Sequence, residues 1–353
     1  MQKRVFLALL FLISQLSFSQ NIEHSIDSII HTKFDSSDTP GGVFLVAVKG
    51  KPFYKKAFGL ANLELGTKMT TDHVFQIGSM TKQFTAIAIL QLEEQGKLSV
   101  NDPVSKFIPT YPNGEHITVS HLLSHTSGIK NFTQMRNIFT IAQKNMSSKE
   151  LIDFFKDEPI DFQPNEQFKY NNSGYVILGH IIEHITGITY EEYIQQHIFD
   201  PIGMKNSYYA NDRKIIKNRA YGYHKKKDGY VNKTVINFSI PFSSGALMSS
   251  LEDMLKWQNA LHKNLLLSKE HTTKAFTQKP LKNGELISYG YGWHVKKTRE
   301  VTTLEHGGSI FGFKSMGVYI PEKEIYILEL SNCDCNSPTK IIKDIATLVE
   351  KTF

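Results

Sequence analysis

The chain has 353 residues, 41% of them hydrophobic, enough for one large domain or two ordinary ones with a sizeable core, and it holds no low-complexity tract. The formal charge of +6 becomes +4 without Lys3 and Arg4, an excess too mild to indicate nucleic acid as a partner. Cys333 and Cys335, the only cysteines, exclude a disulfide framework; their spacing usually strains a bond between them, although export permits one.

Residues 1–19, "MQKRVFLALLFLISQLSFS", place Lys3 and Arg4 ahead of an apolar run of about nine residues and end in small residues, the layout of a cleavable secretory signal. Cleavage is expected near Ser19 or Gln20, leaving 20–353 as a single exported domain. No later segment offers roughly 18 consecutive apolar residues, so no stable membrane insertion is expected. "NIEHSIDSIIHTKF" carries Ile22, Ile26, Ile29 and Ile30 at helical spacing and predicts an amphipathic helix. "GGVFLVAVKGKPFYKKAFGLAN" (41–62) predicts a hairpin around a Lys-Gly-Lys turn. A helix follows from Ser79 to Gln95, stopped by Gly96.

From about 100 to 270 the chain reads as mostly helical with long loops. Capping-box spacing marks three starts: Ser147 with Glu150, Thr189 with Glu192, and Ser249 with Glu252. "HKKKDG" (224–229), the densest basic run, predicts a solvated turn between two Tyr-containing segments. "ISYGYGWHVKK", "FKSMGVYIP" and "EIYILELSN" are short β-type runs, before a closing helix at about 338–351. Strands at both ends with helices between them suggest one sheet built from both termini around a helical insertion at about 100–270.

The chemistry concentrates in three places. Ser79 and Lys82 lie one above the other if the segment is helical, so the amine can reach the hydroxyl. An amine buried among Phe75, Ile77, Phe84 and Ile87 has its pKa lowered by desolvation and can then take the serine's proton. A helix start also points N–H groups at a developing oxyanion. The spacing alone is weak, because Ser127 with Lys130 and Ser337 with Lys340 share it; Gly128 and Pro338 keep those two from opening a long apolar helix.

In "FKYNNSGY" (168–175), Tyr170 can shuttle a proton through a tyrosinate-like oxygen, and Asn172 offers a donor and an acceptor to a substrate amide. Tyr209 with Asn211 and Tyr230 with Asn232 repeat the triplet without an apolar helix behind them. In "EHGGSIFGF" (305–313), Gly307 and Gly308 let a strand approach a ligand closely, and the Ser309 N–H can complete an oxyanion hole; the plain alternative is an edge-strand bulge.

These three elements, with "ITVSHLLSHTSGI" (117–129), "PNEQFKYNNSGYVILGHIIE" (164–183), "SSGALMSSLEDMLKW" (243–257) and "YGYGW" (289–293), resemble the serine β-lactamase and penicillin-binding-protein superfamily, specifically its class C β-lactamase, D-aminopeptidase and esterase branch. The resemblance covers nearly the whole mature chain. It implies an α+β, β-lactamase/transpeptidase-like fold: an antiparallel sheet flanked by helices, a mostly helical inserted subdomain, and an active site in the groove between them. It makes Ser79 the acylated nucleophile, Lys82 its activating partner, Tyr170 the proton shuttle and Asn172 a substrate amide contact. His306, Gly307, Gly308 and Ser309 become substrate-binding residues, with the Ser79 and Ser309 N–H groups as oxyanion hole. No metal or organic cofactor is implied, and a bacterial host would put the protein in the periplasm or outside the cell.

The third motif departs from the lysine usual in β-lactamases and penicillin-binding proteins. Histidine, with an ordinary pKa of about 6.5, is mostly uncharged at neutral pH and attracts a carboxylate less. His306 therefore favours esters or small peptides, including D-amino-acid peptides, over β-lactam-like amides. Lys314 can supply the missing charge or simply face solvent.

Three other readings stay in view. "HIIEH" matches an inverted zinc-peptidase pattern through His180, Glu183 and His184, though the same residues make a solvated helix stripe. "HLLSH", with His121 and His125, lacks the glutamate that zinc chemistry needs and reads as structural. A non-hydrolysing penicillin-binding or sensor protein would keep the same serine. The substrate and the oligomeric state are open at this stage.

Overall fold

The computed structural model describes residues 20–298 and 301–353, so the expected signal at 1–19 lies outside the described residues. Helix α1 (20–31) has the predicted isoleucine period, with Ile22, Ile26 and Ile30 buried. Strands β1 (Gly42–Val48) and β2 (Lys51–Phe58) form the predicted hairpin. Its two-residue turn has Lys49 and Gly50 both at positive φ, 51° and 72°, matching the twist of the flanking strands.

The other main-sheet strands come from the far end of the chain: β3 (His294–Lys297), β4 (Thr302–Ile310), β5 (Phe313–Ile320) and β6 (Ile325–Ser331). The order is β3-β4-β5-β6-β1-β2, antiparallel throughout, with β1 and β6 joining the two ends through pairs such as Val43 with Leu330 and Leu45 with Leu328. The fold is the expected α+β class. Of "ISYGYGWHVKK" only the last four residues are strand. Gly292, at φ 86°, instead brings that segment so close to the helix Thr81–Glu94 that a Cβ there would lie 3.0 Å from the Lys82 carbonyl.

Side chains alternate across the sheet. Val43, Leu45, Leu328 and Leu330 face the large core, whereas Phe44, Val46, Ile325 and Ile327 face α1 and the closing helix, Pro338–Thr352. That closing helix applies Ile341, Ile342, Ile345 and Val349 to the sheet. Burying both faces explains why β6 from Ile325 to Leu330 reads as an apolar run broken only by Glu329. The Glu329 carboxyl is buried without a hydrogen-bond partner, and burial pushes its pKa well up, so it is held as the neutral acid.

On the other face lies α2 (Thr81–Glu94), buried from Thr81 to Leu92. It runs between the sheet and a mostly helical region that includes α3 (Asn172–Thr186) and α4 (Leu251–His262). The capping boxes at Ser147 and Thr189 form as expected. The third start is one residue later than predicted, since Ser250 caps α4 by accepting from Asp253 N–H. "HKKKDG" forms the tip of a small hairpin pairing Tyr223–Lys226 with Gly229–Asn232. Cys333 and Cys335 are joined in a disulfide. Among the described residues no helix is long and apolar enough to cross a membrane.

Candidate active site

Ser79 does not open α2; it lies in a 3₁₀ turn, Gly78–Met80, immediately before it. That turn is pinned from several sides. Ser315 Oγ donates to the Ile77 carbonyl at 2.9 Å, and the Ile77 N–H donates to the Leu247 carbonyl at 3.0 Å. Thr81 Oγ1 accepts from Leu247 N–H at 3.1 Å. Gly308 explains how strand β4 comes so near: a Cβ there would fall 2.0 Å from the Ile77 carbonyl oxygen. Gly78, at φ 52°, would put a Cβ 2.9 Å from Ser309 N. Gly308 thus admits the protein's own backbone at Ile77, and both glycines of the pair line the cleft beside Ser79. A Cβ on Gly307 would lie 3.3 Å from Met316 Sδ and 3.4 Å from the Ser315 carbonyl oxygen. Pairing of β4 with β5 runs without interruption from Leu304 to Ile310, so no bulge is present there.

Lys82 is fully buried, and desolvation, with no opposing charge, drives its pKa well below the ordinary lysine value. Its Nζ has three oxygen neighbours: Asn172 Oδ1 at 2.7 Å, the Ser244 carbonyl at 2.8 Å and Ser79 Oγ at 3.3 Å. A neutral amine has two N–H donors and one lone pair. The amide and the carbonyl can only accept, so they take both N–H groups, and the lone pair is left for the Ser79 hydroxyl. The Ser244 carbonyl had no sequence signal, because any residue supplies a carbonyl.

Tyr170 and Asn172 arrive on the loop and first turn of α3, whose N-cap Asn171 accepts from Gly174 N–H at 2.9 Å. Asn172 Nδ2 donates to Thr133 Oγ1 at 3.0 Å, which orients its oxygen toward Lys82. Desolvation pushes the Tyr170 pKa up, opposed only by a hydrogen bond with Ser79. The Lys82 Nζ lies 4.9 Å from the centre of its ring. The resting tyrosine is therefore a neutral phenol, not the tyrosinate-like oxygen read from the sequence, and Lys82 is the stronger base of the two. His125, buried at φ 61°, fixes this loop by accepting from Asn171 N–H through Nδ1 at 3.1 Å. Burial drives its pKa well down and keeps it neutral, consistent with a structural role for "HLLSH".

His306 is likewise buried and neutral, its pKa driven well down chiefly by desolvation. Its Nδ1 lies 2.6 Å from the Gly307 carbonyl and so carries the proton; Nε2 accepts from the Tyr289 hydroxyl at 3.1 Å. Both ring nitrogens are engaged, and Tyr289 is a site neighbour that only its place in "YGYGW" hinted at. The lysine that lines the cleft is Lys314, half-buried opposite Ser309 across the strand pair, with Nζ 2.9 Å from Ser309 Oγ.

The lookalike motifs lie elsewhere. Lys130 pairs with Asp161 at 3.1 Å and Lys340 with Asp344 at 2.6 Å. The Tyr209 hydroxyl donates to the Phe238 carbonyl. In "HIIEH", the Glu183 carboxylate accepts from Ser148 Oγ at 2.6 Å and Tyr190 N–H at 3.0 Å, while His180 Nδ1 lies 2.9 Å from Ser148 Oγ. Among the described residues no cluster of three or more His, Cys, Asp or Glu side chains is arranged to hold a metal ion.

The family model described as Beta-lactamase matches residues 26–348. The chain belongs to the Beta-lactamase family. This β-lactamase-family protein is 30% identical over 306 residues to penicillin-binding protein 4* of Bacillus subtilis, a match covering 82% of this chain and 68% of that relative. It superposes on the octameric penicillin-binding protein homologue from Pyrococcus abyssi with a TM-score of 0.81 and 33% identity, over 93% of this chain and 77% of that one. The D-amino acid amidase from Ochrobactrum anthropi SV3 shares the fold, with a TM-score of 0.81 at 23% identity over 94% of this chain and 100% of that one.

Proposed function

We propose that the protein is an exported serine hydrolase working through an acyl-enzyme on Ser79, with esters or small peptides, including D-amino-acid peptides, as substrates. The observation that carries this reading is the buried, uncharged Lys82, whose two N–H groups are consumed by Asn172 Oδ1 and the Ser244 carbonyl and whose lone pair is left for Ser79. As Ser79 Oγ bonds to the substrate carbonyl carbon, its proton passes to Lys82 Nζ. Negative charge develops on the carbonyl oxygen and is met by the Ser79 and Ser309 N–H groups. When the bond to the leaving group breaks, the proton on Lys82 reaches that group through the Tyr170 hydroxyl, which gives up one proton as it gains another. Water then attacks the ester, and the same groups return the proton to Ser79.

His306 argues for esters and small peptides over β-lactams, because it is uncharged and both nitrogens are occupied. A short-chain nitrophenyl ester and a chromogenic cephalosporin, offered side by side, test this; faster turnover of the cephalosporin refutes the preference. The N-terminal segment supports export to the periplasm or beyond, checked by sequencing the mature N-terminus. The penicillin-binding names of the relatives favour one second reading, a binder that acylates without turnover. Intact mass after exposure to an acylating probe separates the two: a permanent adduct marks the binder, a transient one the enzyme.

A further inference from the structure

Ser79 lies where two cavities of opposite character meet. One, of about 320 Å³, is lined by Phe132, Ile138, Phe139, Ile236, Ile240 and Phe311, and no Asp, Glu, Lys, Arg or His contributes to it. Its polar side chains belong to residues of the reaction centre or its border, Ser79, Thr133, Asn172, Ser244 and Ser309. The other, of about 570 Å³, is lined by ionisable groups that include His294, His306, Lys314 and Asp334. Asn172 borders only the first cavity and Tyr170 only the second.

That division orients the substrate. The leaving group takes its proton by way of Tyr170, so it occupies the polar cavity. The acyl group therefore extends past Asn172 into the apolar one. Each water in the liquid takes roughly 30 Å³, so the cavity has room for a substituent far larger than methyl. A charged acyl group would lose its hydration there and find no counter-ion. Resting on the proposed serine-hydrolase reading, we infer that the protein selects substrates whose acyl half ends in a bulky, uncharged apolar group, held between the 132–142 and 236–241 segments.

Three nitrophenyl esters test this: acetate, pentanoate, and glutarate, whose acyl chain matches pentanoate in length but ends in a carboxylate. Each kcat/KM is divided by the ester's second-order rate constant with hydroxide, which leaves out attack of the glutarate carboxylate on its own ester, and acyl-Ser79 formation is followed by mass in parallel. Pentanoate is expected to exceed both acetate and glutarate by about tenfold or more. Ala142→Trp, which fills the cavity, brings the pentanoate-to-acetate ratio toward one; because the ratio is taken within one variant, the folded fraction cancels. Should that variant fail to fold, Phe139→Ser replaces a 70% exposed side chain at the rim and lowers the same ratio by about threefold. A wild-type ratio near one, or glutarate matching pentanoate, overturns the inference and leaves the hydrolase reading standing. Neither turnover nor a Ser79 adduct with any ester overturns that reading and this inference with it.

Discussion

Two serine–lysine pairs of identical spacing occupy opposite environments in this protein. Lys82 is 0% exposed and held by an amide oxygen, a main-chain carbonyl and a hydroxyl. The Lys130 side chain is 36% exposed and pairs with Asp161, which also binds Lys169. A carboxylate beside an amine favours the ammonium form, whereas burial among uncharged acceptors favours the free base. The motif therefore supplies reach, and its surroundings decide whether the amine can act as a base.

The largest expected effect breaks the comparison at the nucleophile. Ser79→Ala lowers kcat/KM by at least about a thousandfold in an ester assay, while Ser127→Ala leaves it unchanged per folded molecule. Next, Lys82→Arg puts a permanent positive charge where the free amine stands and cannot accept the serine's proton. It lowers kcat by about 10² to 10⁴-fold, and Lys130→Arg does not change it.

The pH profile sharpens the same point. Below the folded pKa of Lys82, kcat/KM falls about tenfold per pH unit, because only the free base accepts the serine's proton. Stability follows a related sign. The folded value lies below the ordinary lysine value of 10.5, so between the two the unfolded chain binds the extra proton, and stability rises with pH across that window. Urea titrations of wild type and Lys82→Met check this, since the variant loses that slope. The smallest effect comes from Lys130→Ala, which costs about 0–1 kcal/mol in denaturant melts with no change in turnover.

Much of the fold was legible because it rests on local patterns. The Ile22, Ile26 and Ile30 period, the Lys49–Gly50 turn and the caps at Ser147 and Thr189 involve residues within a few positions of one another. The misses arose where distant contacts intervened. Ser79 sits in a 3₁₀ turn because Leu247, Ser309 and Ser315 hold it there. "YGYGW" is not strand because Gly292 packs on the backbone of α2. Asn172 and Tyr170 were identified as site residues, but Ser244 was not, since its contribution is a carbonyl.

By itself the sequence determined which groups were available: a hydroxyl three residues before an amine in an apolar run, a Tyr-Asn-Asn loop ahead of a helix, and a glycine pair preceded by a histidine. Tertiary structure decided their protonation states and the character of the cleft. Whether Lys82 is a base, Tyr170 a phenol and His306 neutral depends on how completely water is removed and on which oxygens come within about 3 Å. Those oxygens belong to residues as far away in sequence as Asn172 and Ser244. Only folding brings them to the amine.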